Sequence, residues 1–407
     1  MVARISTQMM YDRGVSQLST LQSNLLKTQL QLSTGRRVLT PADDPVASAR
    51  ALEVGQSQQL NEQYSINRQT ASSTLAQADT VLDTLNDIMD DVRGTVLQAG
   101  SPTLSQSDRD SLAADLEASL QDILGQANTA DGTGGYLFSG YKTNTQPFAL
   151  TSTGANYYGD QGQRELQVGS GRQMAISASG SEIFEQNLTG NGTFLTQADA
   201  GNAARGGTGV ISPGTVVNAK EWVPGTYSIT FSKTAEGVTQ YAVTDADGAE
   251  VVPATDFKSG EPIQFRGISF DIAGVPAADD QFTVEPSKNQ SVFQTIRDVI
   301  TALRTAGSGP AVNADLTNKL NTANQNLQNA QDNMVAVRAS IGARGRELDY
   351  LDSSGSALNI EYESQINDLI NVDEIEAASR FVQQTTSLQA AQQTFKTATG
   401  LSLFNYI

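Results

Sequence analysis

Acidic residues in close sequence are the first place to look for hydrolytic or metal chemistry in this chain. Asp43 and Asp44 adjoin each other, and two carboxylates can divide general-acid and general-base work when their surroundings differ. No His, Lys or further acid stands near them in sequence to split those roles. Capping accounts for their position more simply: either Asp can accept the free N–H groups of a helix that starts at Pro45, a residue preorganised for the first helical position. Asp245-Ala246-Asp247-Gly248-Ala249-Glu250 opens like a calcium loop, but it lacks the third acidic position before Gly and the distal Glu. A hairpin turn is the expected role of its Asp-Gly pair. Gly132-Thr133-Gly134-Gly135 and Gly206-Gly207-Thr208-Gly209 are rich in glycine, yet neither lies between a strand and a helix with a phosphate-binding Lys. Both read as loops. Gly342-Ala343-Arg344-Gly345-Arg346 places two cations on a helix, either as solvated charge or as a salt link between subunits. No enzyme site and no cofactor or metal site is expected.

Composition narrows the chemistry further. The 407 residues contain no Cys and no His, which removes thiol nucleophiles, Ser-His-Asp triads and the commonest zinc ligands. A chain without Cys is also free of disulfide trapping, which suits one that is moved unfolded. Only 38% of residues are hydrophobic and 6% aromatic, with 35 Gly and one Trp, Trp222. That mix lies between a globular enzyme and a solvated polymer subunit. A formal net charge of −18 argues against nucleic acid or an anionic membrane as main partner, because both bind through clustered Lys and Arg. No apolar stretch reaches membrane-spanning length, and Met1-Val2-Ala3-Arg4-Ile5-Ser6 lacks the apolar core of a cleavable signal peptide.

The spacing of apolar residues predicts three zones. Tyr11, Gly14, Leu18, Leu21, Leu25, Thr28 and Leu32 alternate in steps of three and four, a coiled-coil seam, and Gly35 supplies a C-terminal cap. A second helix is expected from Pro45 to Ala99, with Leu75, Ala78, Leu82, Leu85, Met89, Val92, Val96 and Ala99 as its later seam. Its length would be about 80 Å at ~1.5 Å per residue, so it must lie along other long helices. A shorter helix follows, with Ser105 and Asp108 as a cap pair, Leu112, Leu116, Leu120 and Ile123 as its stripe, and Gly125 at its end. The middle zone, 132–287, loses the helical period. Tyr227-Ser228-Ile229-Thr230-Phe231, Gln240-Tyr241-Ala242-Val243-Thr244 and Ile268-Ser269-Phe270-Asp271-Ile272 alternate as antiparallel strands do. Helix returns with Ser291 capping a segment to about Leu303, a long helix over about 311–363, and a last one over about 373–399. Ala378, Phe381, Thr385, Leu388 and Phe395 are expected to mark the buried face of the last helix.

These zones predict an α+β fold: a long antiparallel helical bundle formed by both termini, with an inserted antiparallel β region. The expected division is 1–34 with 383–407 as a terminal assembly segment, 35–135 with 287–382 as a helical core bundle, and 136–286 as an outer β-rich domain of one or two modules. The terminal stripes are diluted by Thr, Gln, Ser and Ala, and isolated helices of that quality are marginal in water. The arms are therefore expected to be partly disordered in the free monomer and to fold against a neighbour.

Two segments carry a family resemblance. Leu32-Ser33-Thr34-Gly35-Arg36-Arg37 followed by Pro41-Ala42-Asp43-Asp44-Pro45 resembles the N-terminal signature of bacterial flagellins. Asp373-Glu374-Ile375-Glu376-Ala377-Ala378, with Thr385, Leu388 and Gln389 after it, resembles the matching C-terminal end. Within that superfamily, Gly135-Tyr136-Leu137-Phe138-Ser139-Gly140-Tyr141-Lys142-Thr143, then Pro147-Phe148, and the terminal Leu401-Ser402-Leu403-Phe404-Asn405-Tyr406-Ile407 are similar to the branch that joins hook to filament.

The resemblance implies an extracellular structural protein of the bacterial flagellum, exported unfolded by the type III apparatus without a cleaved signal. It implies a ring of copies between a hook-proximal junction protein and the first flagellins, and a cytoplasmic chaperone holding the C-terminal helix before export. The assembly interface would then use Leu18, Leu21, Leu25, Leu32, Gly35, Arg36, Asp43, Asp44, Pro45, Ala378, Phe381, Leu388 and Phe395. A filament flagellin is the alternative. A secreted glycan-binding or enzymatic module using Asp, Tyr or Trp222 in the β region is a third reading, weakened because no carboxylate pair there has a recognisable partner.

Overall fold

The computed structural model describes residues 7–132 and 134–400; expectations for 1–6, Thr133 and 401–407 lie outside them. The helices among the described residues are α1 (Thr7–Thr34), α2 (Pro45–Ala99), α3 (Gln106–Ala127), α4 (Gly180–Phe184), α5 (Asn202–Arg205), α6 (Val292–Thr305), α7 (Pro310–Ile370) and α8 (Glu374–Gly400). The strands are β1 (Phe148–Thr151), β2 (Gly154–Tyr157), β3 (Glu165–Gly169), β4 (Arg172–Ala175), β5 (Asn187–Leu188), β6 (Phe194–Ala198), β7 (Val210–Ile211) and β8 (Thr215–Val216). They continue with β9 (Tyr227–Lys233), β10 (Thr239–Asp245), β11 (Glu250–Asp256), β12 (Pro262–Phe265), β13 (Ile268–Ala273), β14 (Gln281–Pro286) and β15 (Asn289–Gln290). Helix, inserted antiparallel sheet and helix follow one another as the α+β reading requires. Two compact units result, one formed by residues up to Ile66 with those from Tyr350 onward, the other by Asn67–Asp349.

The second unit holds the large core. Leu75, Ala78, Leu82, Leu85, Met89, Val92, Val96 and Ala99 of α2 are all buried, because their three–four spacing keeps them on one face. Leu112, Leu116, Leu120 and Ile123 of α3 face α6, whose Phe293, Ile296, Val299, Ile300 and Leu303 are buried in turn. Ser105 and Asp108 form a reciprocal capping box, with the Ser105 N–H donating to Asp108 Oδ2 at 2.9 Å. Gly125 does not end α3, which runs on to Ala127 with Asn128 as its cap. The ~1 kcal/mol helix penalty of Gly is outweighed there by burial of Ala127. Ser291 occupies the N-cap of α6 with extended backbone, but its hydroxyl makes no capping bond.

Polar ties fix α2 against α7. Gln331 donates to Asp90 Oδ1 at 2.7 Å and accepts from Arg93 at 2.8 Å. Arg338 pairs with Asp79 at 2.8 Å and also with Asp83.

The inserted sheets share one core. The order β11-β10-β9-β14-β6 makes a five-stranded antiparallel sheet, and β12-β13-β7 makes a second, to which β8 adds on β13. Alternate residues Tyr227, Ile229 and Phe231 point inward with Phe282, Val284, Ile268, Phe270 and Ile272, the period of two that a half-buried strand imposes. The signature segment 135–143 leads into a separate aromatic cluster. Phe148 lies 5.2 Å from Phe184 and 5.1 Å from Phe293 between ring centroids, and Phe138 lies 6.2 Å from Phe184. Tyr157 secures it by donating to the Phe138 carbonyl at 2.9 Å.

Candidate assembly interface

The first unit is built differently. Among its described residues the buried side chains are Val38, Ala47 and Ala377, with polar Thr28, Gln31 and Asn61. Leu18, Leu21, Leu25 and Leu32 follow the seam of α1, where α8 packs antiparallel, yet each is only half-buried. Phe381, Leu388 and Phe395 of α8 are likewise half-buried. Ala378 is exposed, and its neighbour Ala377 is the buried alanine. The seam steps back by four from Phe381 rather than by three, so the expected face is corrected by one residue there. Large apolar side chains remain in water across this unit: Leu26, Leu30, Val46, Leu52, Ile360, Val382 and Ile375, the last 86% exposed.

The link between α1 and α2 is tied to the turn between α7 and α8. Gly35 ends α1 at φ +69, a conformation that L side chains adopt at a cost, and its carbonyl accepts the Val372 N–H at 2.9 Å. Arg36, exposed, forms an antiparallel bridge with Asn371. The Arg37 N–H donates to the Ile370 carbonyl at 2.8 Å and its guanidinium to the Leu369 carbonyl at 2.6 Å. Gln31, buried on the seam, donates to the Arg37 carbonyl at 2.7 Å.

The two acids divide the work. Asp44 caps α2, accepting the Ala47 N–H at 3.0 Å, and pairs with Arg37 at 3.1 Å. Asp43 holds the loop, accepting the Leu39 and Thr40 N–H groups at 3.1 and 2.9 Å and the Lys27 ammonium at 2.6 Å. Pro45 is the exposed first residue of α2. The Lys27 hydrogen bond, then the Thr40 N–H, hold the Asp43 carboxyl down to about 2 from its ordinary 3.8. The Ala47 N–H and Arg37 lower Asp44 as well. Depressed carboxylates stabilise fully above their unfolded value and lose that contribution as pH falls through the folded one. Protection of the Thr40 amide should therefore hold above about pH 5 and fall between about pH 4 and pH 2, and that of the Ala47 amide should fall in acid as well. Asp43→Ala with Asp44→Ala, which removes the accepting oxygens, should lower the same protection several-fold at pH 6, as amide hydrogen exchange would read.

The other candidate chemistry resolves into structure. Asp245 Oδ1 accepts the Asp247 and Ala249 N–H groups at 3.1 and 2.8 Å, and Gly248 sits at φ +79, closing the β10–β11 hairpin. Arg344 reaches the Ala175 and Ser177 carbonyls at 3.2 and 3.4 Å within the chain, a use that neither reading of its segment foresaw. Among the described residues no group of three or more His, Cys, Asp or Glu could hold a metal ion, and no helix is long and apolar enough to cross a membrane. Lys27, Gln31 and the carbonyls of 369–370 carry no local motif. Only the polar Gln31 beside the apolar seam hints at a buried partner.

Comparison with known proteins agrees with this layout. The family model described as the bacterial flagellin N-terminal helical region matches residues 5–143. The chain is similar to flagellar hook-associated protein 3 of Salmonella typhimurium, 28% identical over 402 residues that cover 98% of each. Among solved structures it is similar to flagellar hook associated protein-3 from Legionella pneumophila, with TM-score 0.75 and 29% identity over 78% of this chain and 98% of that one. A structure of the flagellar junction protein FlgL from Legionella pneumophila gives TM-score 0.72 and 29% identity over 79% of this chain and all of that one.

Proposed function

We propose, from the premise that this chain is related end to end to flagellar hook-associated protein 3 within the flagellin superfamily, that it is the structural subunit joining hook to filament. It works by packing, not catalysis. The observation that carries this reading is the poverty of the first unit, with three small apolar side chains buried among its described residues and larger ones such as Leu26, Leu30 and Val382 in water. Ordering a residue costs roughly 1–2 kcal/mol of conformational entropy, so such arms gain most of their stability from neighbours.

In this reading residues 1–34 and 383–407 form the assembly segment, 35–135 with 287–382 the core bundle, and 136–286 the outer domain. Copies form a ring, with the hook-proximal junction protein on one side and flagellin on the other. A cytoplasmic chaperone holds the C-terminal helix until the unfolded chain leaves through the type III apparatus without a cleaved signal. The loop of Gly35, Arg36, Asp43, Asp44 and Pro45 shapes the turn toward adjacent subunits, and Leu18, Leu21, Leu25, Leu32, Ala378, Phe381, Leu388 and Phe395 serve the arm that enters the ring.

Electron microscopy of a strain lacking the gene tests the role. Intact hooks without filaments, with unpolymerised flagellin in the medium, are expected. Normal filaments would sink the proposal, and loss of the bulk polymer subunit itself would make the chain a filament flagellin instead.

A further inference from the structure

α1 packs along α8. Gly14 lies beneath Phe395: a Cβ at Gly14 would stand 2.6 Å from both Cδ2 and Cε2 of that ring. Tyr11, one turn earlier, lies 5.3 Å from the same ring between centroids. Stepping one heptad along each antiparallel helix reaches Leu21 and Leu388, and a second reaches Thr28 and Phe381. Thr28 is buried, and its hydroxyl is occupied by the Asn24 carbonyl at 3.1 Å. Beyond the last layer, the Val372 N–H donates to the Gly35 carbonyl at 2.9 Å and ties the ends of the two arms together.

By this stepping each Phe of α8 comes level with a smaller residue of α1, Gly14 or Thr28, and Leu388 with Leu21. A slip of one heptad would set Leu21 against a phenylalanine, and overpacking of that kind is destabilising. A glycine inside α1 otherwise has no helical advantage, since it costs ~1 kcal/mol relative to Ala.

We infer that the Gly14–Phe395, Leu21–Leu388 and Thr28–Phe381 layers are a size code that fixes the register of the two arms. In that register the exposed Val382 comes within one residue of level with the exposed Leu26, so the code also decides which apolar side chains a neighbour meets. The inference deepens the reading of α1 and α8 as assembly arms, which it takes as given, but its test needs no flagellum.

The chain has no native Cys, so an engineered pair reports register cleanly. In purified full-length Leu21→Cys/Leu388→Cys protein, diamide should oxidise the two thiols to one intramolecular disulfide, seen as a mobility shift. Adding Gly14→Leu should cut the trapped fraction at least about fivefold, although leucine favours helix over glycine. Exchanging the sizes, Gly14→Leu with Phe395→Ala, should restore trapping. Failure of the parent pair to close, unchanged trapping with Gly14→Leu, or no recovery on size exchange would each overturn the code. Failure of the junction role alone would leave all three results standing.

Discussion

Phe293→Ala is expected to destabilise the Asn67–Asp349 unit by about 3–5 kcal/mol, the cost of emptying a fully buried aromatic site. Phe293 is completely buried and touches Phe148 at 5.1 Å and Phe184 at 5.6 Å between centroids. Those partners come from the hairpin after the signature segment and from α4, so one ring joins three stretches far apart in sequence. Relaxation cannot easily fill the gap. The β1–β2 turn rests on the start of α6, where a Cβ at Gly154 would already meet the Gln294 nitrogen at 3.0 Å. With ~2–4 °C per kcal/mol for a unit of this size, the thermal midpoint should fall by roughly 10 °C. Calorimetry on the purified chain reads it. A loss below about 1 kcal/mol would show that the cluster collapses around the vacancy and does not hold these segments together.

That cluster also marks where sequence reading stops. The bounds of α2, Pro45–Ala99, were legible because local signals sit at both ends: Asp44 and Pro45 at the start, Gly100, Ser101 and Pro102 after the finish. Its buried face was legible because periodicity is local as well. The reason for the segment 135–143 was not, since Phe138 finds Phe184 and Phe148 finds Phe293 only through the fold. The assembly loop divides in the same way. Capping by Asp43 or Asp44 could be read from their place before Pro45, but which one caps depended on Lys27 and on the Thr40 N–H claiming Asp43. The Arg37 bonds to the carbonyls of Leu369 and Ile370 join residues more than three hundred positions apart and leave no trace in either neighbourhood. Gly125 and Ala378 failed for a related reason: propensity and period place an end or a face only to within a few positions, so α3 runs two residues past Gly125 to the buried Ala127, and Ala377 rather than Ala378 is buried.

Leu26→Lys combined with Leu30→Lys should leave the free chain unchanged and abolish the junction role proposed for it. Both leucines are more than half exposed, at 59% and 54%, and sit one turn apart on α1, away from the Leu18–Leu25 seam that faces α8. Lysine matches leucine closely in helix propensity, so neither the helix nor its pairing loses an interaction in the monomer. In an assembly the same two side chains would be covered by a neighbouring copy, where full burial is worth ~1.5–3 kcal/mol each. Losing both amounts to roughly 3–6 kcal/mol per contact, or about 10²–10⁴ in its association constant, before any cost of burying two ammonium groups. Hooks complemented with this variant should therefore carry few filaments while flagellin accumulates in the medium, and the calorimetric midpoint and helix content of the purified chain should match the parent. Leu25→Lys makes the contrast, since it strikes the half-buried seam and should disturb the α1–α8 pair itself. Normal filament numbers with Leu26→Lys/Leu30→Lys would mean that this exposed face meets water in the assembled flagellum too, and that the neighbour packs elsewhere on the arms.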